Sequence, residues 1–328
     1  MTENDQRETP TSRPVGQVDA LAIPRFAGIR TFARLPRRED VPTADVALLG
    51  APFDGGTTFR AGSRFGPAGI REASLLLRPY NEPLDVSPFD AVQVVDAGDA
   101  PVNPIDIQAG HRAIEQSAAD LYAAGATVLG LGGDHSVSLP LLRAAAQAHG
   151  RLSLIQLDAH TDTWDSYFGA KVTHGTIFRR AVEEGLIDAS TSVQVGLRGS
   201  LYSGDDMAEN EALGFSSLLA RRFDEVGVEG ALALIASTVS APAYVTVDID
   251  VLDPAFAPGT GTPEAGGLTS RELLAILRGL PGAGVRVAAA DVVEVSPPYD
   301  PAGATALAGA NVAYDLLTLL AMGRASDD

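Results

Sequence analysis

Leu152-Ser153-Leu154-Ile155-Gln156-Leu157-Asp158-Ala159-His160-Thr161-Asp162 sets the reading of the whole chain. Its first half is a short, nearly unbroken apolar run, the pattern of a strand covered on both faces of a parallel sheet. Its second half turns abruptly to ligand-type side chains at alternate positions. In extended backbone, positions i, i+2 and i+4 point to one side, so Asp158, His160 and Asp162 are expected to aim at a common point. Working outward, the runs 46–50, 92–96, 127–131, 192–197, 243–248 and 285–295 have the same apolar character. Stretches with helical spacing lie between them, at 107–124, 138–149, 176–184, 230–240, 270–280 and 305–321. Asp106 can cap the helix that starts at Ile107, and Gly125 sits just past its end. Thr269 with Glu272 makes a capping box before Leu273 and Leu274. Strand and helix alternate with no dividing linker and no internal repeat, which points to one α/β domain with helices on both faces of the sheet.

The composition narrows the chemistry. With 328 residues the chain can bury a large core without staples. Hydrophobic content of 45% and charged content of 20% exclude wholesale disorder. The absence of cysteine removes disulfides, thiolate nucleophiles and zinc–thiolate sites together. Lys171 is the only lysine and follows no glycine-rich phosphate loop, so a Walker-type NTPase is excluded. A net charge of -18 disfavours a nucleic-acid surface and suits a cationic small molecule, although acidity also serves solubility alone. Residues 1–24 are rich in Thr, Pro, Asp and Glu and read as a flexible N-terminal arm, leaving 25–328 as the folded domain. Residues 1–13 contain no apolar signal core, and the most apolar window, 231–247, is too short to span a bilayer. The expectation is a soluble, cytoplasmic protein with no membrane partner.

In open α/β sheets the ligand sits beyond the carboxyl ends of the strands. Three further strand ends carry polar residues there: Gly132-Gly133-Asp134-His135-Ser136, Asp248-Ile249-Asp250-Val251-Leu252-Asp253-Pro254, and Glu294-Val295-Ser296-Pro297. A single Asp-x-Asp or Gly-Gly-Asp-His is commonplace in loops. Several of them, all placed where a sheet ends, are not. Four aspartates converging without a cation would repel one another and have raised pKa values. Divalent metals remove that conflict. A donor set rich in oxygen, with some imidazole and no sulfur, suits Mn²⁺ best, with Ni²⁺, Co²⁺ or Zn²⁺ possible. Of the five histidines, His135, His160 and His174 fall in loops near this rim, whereas His111 and His149 fall on helices and read as surface residues.

Taken in order, Gly133-Asp134-His135-Ser136, Asp158-Ala159-His160-Thr161-Asp162 and Asp248-Ile249-Asp250-Val251-Leu252-Asp253-Pro254 resemble the three signatures of the ureohydrolases, the arginase and agmatinase family. The likeness runs from about residue 26 to 322, with Thr246 where many members have serine. It implies a three-layer α/β/α fold on a mainly parallel eight-stranded sheet, two Mn²⁺ per subunit, release of urea, and a homo-oligomer, trimer or hexamer. It also assigns roles. One metal would be held by His135, Asp158, Asp162 and Asp248, and the other by His160, Asp158, Asp248 and Asp250. His174 matches a proton-shuttle histidine and Glu294 the glutamate that pairs with the substrate guanidinium, with Asp162 helping to move the proton. Asp253 resembles a supporting residue, and Asp134 one that orients its loop.

Substrate choice is less marked. Trp164 and Val172 stand near the places where arginases carry asparagines that grip arginine, so that clamp is absent. The loop Thr163-Trp164-Asp165-Ser166-Tyr167-Phe168-Gly169 and the entry Phe65-Gly66-Pro67-Ala68-Gly69-Ile70-Arg71 are similar to bacterial agmatinases. The resemblance therefore puts agmatine first, hydrolysed to urea and putrescine. Pro301-Ala302-Gly303-Ala304-Thr305 departs from the agmatinase pattern and keeps 4-guanidinobutyrate or another guanidino acid as the alternative. Arg198 and Tyr202 could face a substrate carboxylate, with packing and loop anchoring as the plainer roles. A non-catalytic protein that kept the fold, or a related metal-dependent deacetylase releasing acetate, are the readings from other classes.

Overall fold

The computed structural model describes residues 14–240 and 242–325. In chain order the main elements are β1 (Val46–Ala51), α1 (Gly66–Ser74), α2 (Pro88–Ala91), β2 (Val94–Asp99), α3 (Ile107–Ala123) and β3 (Thr127–Gly132). They continue with α4 (Ser138–His149), β4 (Ser153–Leu157), α5 (Ile177–Glu183), β5 (Val193–Leu197), α6 (Asp206–Ala212) and β6 (Ser216–Leu219). The last are α7 (Ala220–Thr238), β7 (Ala243–Asp248), α8 (Ser270–Gly279), β8 (Val287–Val293) and α9 (Ala304–Ala325).

The eight strands form one sheet in the order β2-β1-β3-β8-β7-β4-β5-β6, and every pairing is parallel. Alternate residues feed opposite layers, as the two-residue strand period requires. Val46 and Leu48 pack with Ile70, Leu273, Leu316 and Leu320 from α1, α8 and α9. Ala47, Leu49 and Ala51 pack with Ile114, Leu142 and Phe178 from α3, α4 and α5. The result is helix on sheet on helix, the three-layer α/β/α architecture expected.

Differences from expectation have local causes. β6 was not anticipated because Ser216-Ser217-Leu218-Leu219 is short, half polar and at the sheet edge. α7 begins at Ala220, ten residues before the expected 230, because Gly227 (φ 62°) kinks it and breaks the helical period. The longest apolar helix is α9 rather than the window 231–247. It is apolar and long enough to cross a membrane, yet 72% of its most apolar window is buried within the protein. At the N-terminus, residues 1–13 lie outside the described residues. From residue 14 the chain is tied to the body rather than loose: Val15 N–H donates to Gln93 Oε1 (2.8 Å) and Gln17 Nε2 donates to Leu77 O (3.0 Å).

The sheet order matters most at its centre. β3, β8, β7 and β4 are neighbours in space although the chain visits them as β3, β4, β7, β8. These are the four strands whose ends carry the ligand-type motifs, so the crossovers gather them along one rim.

Candidate active site

Three of the four motifs turn sharply at the end of their strands, and in each an aspartate makes the turn. Asp158 Oδ1 accepts the His160 N–H (2.7 Å), Asp248 Oδ1 the Asp250 N–H (2.8 Å) and Asp134 Oδ1 the Ser136 N–H (2.8 Å). Such side-chain-to-backbone bonds two residues on replace the lost ladder. The convergence of Asp158, His160 and Asp162 therefore does not come from extended backbone, as expected from their spacing. β4 stops at Leu157, and Asp162 sits in the left-handed region at φ 53°. Glu294 does the same at φ 61°. A non-glycine residue pays about 1–3 kcal/mol to sit there, and such strain gathers at functional sites. Gly133 has another constraint: a Cβ there would stand 1.7 Å from Phe53 O, so only glycine lets these two loops meet.

The turns leave the other carboxylate oxygens pointing inward. His135 Nδ1 lies 2.9 Å from Asp162 Oδ2, 3.1 Å from Asp158 Oδ2 and 3.4 Å from Asp248 Oδ2, yet it is buried and makes no directed hydrogen bond. A lone pair facing three carboxylates is the donor arrangement of a cation site. His160 Nδ1 lies 3.1 Å from Asp250 Oδ2 and 3.5 Å from Asp158 Oδ1. Two groups of potential ligand atoms result, His135/Asp158/Asp162 and Asp158/His160/Asp250, each with its atoms within 4.8 Å of one another and with Asp158 shared. The residues present fit a pair of hard divalent ions.

The electrostatics show what such ions would relieve. Burial, then the charges of Asp250 and Asp158, push the Asp248 carboxyl well above the carboxylate range. Burial and Asp158 bring Asp162 to about 6. Burial opposes a charged His135, but its carboxylate neighbours outweigh that and raise it well above the ordinary value.

Glu294 and His174 sit beside this cluster. Glu294 is fully buried; its Oε1 accepts the His135 N–H (3.0 Å) and faces His174 Nδ1 (3.1 Å), while Oε2 has no partner. Burial works against charge on His174, but Glu294 outweighs it and raises the pKa to about 9. The Thr58 N–H points at His174 Nε2 (3.2 Å), a contact suited to the neutral ring, so each protonation state has a partner. Asp134 Oδ2 accepts the Gly56 N–H (2.6 Å) and ties that loop to the end of β3, the orienting role expected of it. A cavity of about 470 Å³ opens over the cluster, lined by His160, Asp162, His174 and Asp248 at its base. Trp164, Tyr167 and Tyr202 form an aromatic wall, with Arg60 and Glu264 also lining it.

Other expectations resolve plainly. Arg198 spends its guanidinium on the carbonyls of Asp250 (2.6 Å), Glu264 (2.8 Å) and Val251 (3.1 Å), so it anchors loops, whereas Tyr202 does reach the cavity. Asp253 accepts the Ala255 and Gly266 N–H groups (2.9 and 2.7 Å), a supporting role. His149 is exposed. His111 is not a surface residue: it is buried, reaches Ser136 Oγ at 3.0 Å and packs edge-on to Phe53. The helix periodicity hid this because a histidine on the inner face of α3 counts as polar.

Sequence reasoning also missed a row of buried polar side chains beneath the site. Gln194, Gln156, Thr246 and Asp291 pair across β5, β4, β7 and β8, and all are fully buried. Gln156 Nε2 donates to Asp158 Oδ2 (2.7 Å), and Gln194 Nε2 to Gln156 Oε1 (2.8 Å). The available signal was a polar residue two positions before Asp158 and Asp248 in otherwise apolar strands.

Comparison with known proteins agrees with this architecture. Residues 44–318 match the family described as the Arginase family. The chain is 51% identical to a guanidinopropionase of Pseudomonas aeruginosa, covering 93% of this chain and 95% of that protein. It is 43% identical to a guanidinobutyrase of the same organism (91% and 94% covered) and 42% identical to a mitochondrial agmatinase of Gallus gallus (91% and 87%). The solved proclavaminate amidino hydrolase of Streptomyces clavuligerus superposes with a TM-score of 0.86 at 42% identity, covering 92% of this chain and 99% of that one. The chain belongs to the arginase family and is a hydrolase of guanidino C–N bonds.

Proposed function

We propose that this chain hydrolyses a short guanidino acid, such as 3-guanidinopropionate or 4-guanidinobutyrate, to urea and the amino acid, with two Mn²⁺ as its resident ions. The observation that carries the substrate class is the 51% identity to a guanidinopropionase across nearly the full length of both chains. The cavity supports it, because among the described residues Arg60 is the only Lys or Arg on the wall. Its guanidinium packs over the rings of Tyr299 (5.1 Å) and Phe59 (5.5 Å), with no carboxylate paired to it among the described residues. A substrate carboxylate is its natural counter-ion. Agmatine, first on the motifs alone, becomes the second reading. Glu264 on the same wall keeps it open, since a carboxylate there would suit an ammonium.

The cations, held by His135, Asp158, Asp162, Asp248, His160 and Asp250, would supply a water of lowered pKa near the guanidinium carbon. The chain does the rest. Glu294, through its unpartnered Oε2, accepts from the planar cation by charge-assisted hydrogen bonds and holds it in place. Asp162 and His174, both at the cavity base, carry the proton that the departing amine needs. The aromatic wall of Trp164, Tyr167 and Tyr202 limits water access. Large exposed apolar side chains on the N-terminal segment, Leu21, Phe26 and Ile29, support a homo-oligomer as part of the same proposal.

Urea release measured in parallel from 3-guanidinopropionate, 4-guanidinobutyrate, agmatine and arginine tests the reading. One of the two acids is expected to have the highest kcat/KM. Agmatine leading the panel would overturn the acid assignment, and acetate release from acetylated amines with no urea from any substrate would overturn the reaction itself.

A further inference from the structure

We propose that a recess between α3, α4 and the segment 170–172 is a second binding site, which takes a compact dianion, a tetrahedral oxyanion or a short dicarboxylate. The inference depends neither on the choice of substrate nor on the resident ions.

The recess has a volume of about 490 Å³, close to that of the active-site cavity, and the two share no lining residue. Its polar lining is Gln108, His111, Arg112, Arg143 and Lys171, with no aspartate or glutamate. The chain carries 42 acidic residues against 24 basic ones, so three cations without a carboxylate in one recess reverse the local sign. A cleft of one sign with low-dielectric walls focuses its field and concentrates the opposite charge. The active-site cavity has the other polarity, with Asp162, Asp248 and Glu264 on its surface.

The donors left over in the recess suffice for such a ligand. Arg112 on α3 has no carboxylate partner among the described residues. Arg143 on α4 gives Nε and Nη2 to Glu184 (2.7 Å each), which leaves Nη1 with one long contact to Glu115 (3.5 Å). Lys171 Nζ meets Asp165 and keeps two of its three donors. Glu184, Glu115 and Asp165 all lie outside the lining and offset part of the positive charge, which suits two negative charges. The frame is fixed. His111, only 4% exposed, meets Ser136 Oγ at 3.0 Å, and Lys171 O accepts from Thr176 Oγ1 (3.0 Å).

The test is calorimetric titration of the metal-loaded full chain with sodium sulfate and with sodium succinate, against sodium chloride at matched ionic strength. Sulfate binding alone would identify an oxyanion site, and succinate binding alone a dicarboxylate site. Saturable binding of at least one of them is expected. The double variant Arg112→Gln/Lys171→Gln should weaken it about tenfold or more, the equivalent of one charge-assisted hydrogen bond. Both side chains are exposed, and either single variant should also weaken binding if the double variant does not fold. Arg60→Gln, in the active-site cavity, should bind like the parent. The proposal is overturned if neither dianion binds saturably, or if the recess variants bind like the parent. An equal loss in Arg60→Gln would also overturn it, because the anion would then sit in the active-site cavity.

Discussion

His111 shows how much a single side chain can depend on its surroundings. Burial, with the Arg143 charge adding to it, lowers its pKa from 6.5 to about 4. The folded protein therefore resists a proton that the unfolded chain accepts. Its contribution to stability is complete above pH 6.5 and is lost as the pH falls from 6.5 toward 4, on the order of 3 kcal/mol at most. Urea unfolding of the parent and of His111→Gln across that range should show the parent losing more stability with acid, and parallel curves would contradict the burial argument. The local turns belong here too. Asp134, Asp158 and Asp248 each cap the backbone two residues ahead; the polar, ligand-type character of these strand ends was readable, although the spacing of 158–162 suggests extended backbone rather than a turn. The left-handed φ of Asp162 and Glu294 was not, since nothing in the local sequence demands it.

Helices and strands were largely legible from periodicity. β7 and α4 match their expected ranges, and α8 carries the capping box, with Thr269 and Glu272 bonded in both directions. Misses fall where periodicity is weakest, in the short polar edge strand β6 and at the kink in α7. One contact between elements dominates the other end of the sheet. Arg71 on α1 reaches both oxygens of Asp96 on β2 (2.8 and 3.0 Å), and Asp96 also accepts the Phe32 N–H (2.7 Å). Asp96→Ala would leave a buried guanidinium with Asp99 as its remaining carboxylate partner. Loss of about 3 kcal/mol or more is expected by denaturant unfolding, and a loss below 1 kcal/mol would mean that Asp99 compensates.

For the whole molecule the decisive quantity is the charge gathered at the centre of the rim. Asp158, Asp162, Asp248 and Asp250 are all buried within one cluster whose only nearby imidazoles are His135, His160 and His174 among the described residues. Ions bound there should stabilise the fold as well as serve the reaction. At free Mn²⁺ about 100-fold above its dissociation constant, each ion contributes about 2.7 kcal/mol. Dialysis against a chelator should therefore lower Tm by roughly 8 °C, at about 1.5 °C per kcal/mol for a chain of 328 residues, and Mn²⁺ should restore it. A Tm indifferent to both treatments would count against a resident pair of ions.

By itself the amino-acid order determined the class of fold, most strands and helices, and the residue types at the ends of β3, β4, β7 and β8, because hydrophobic period and turn chemistry act over a few residues. Tertiary structure alone decided that those four ends lie side by side, that Thr246 and Asp291 meet beneath His135, and that His111 is buried. Each of these depends on contacts between segments tens to more than a hundred residues apart. Crossover connections and sheet register set such contacts, and no local pattern encodes them.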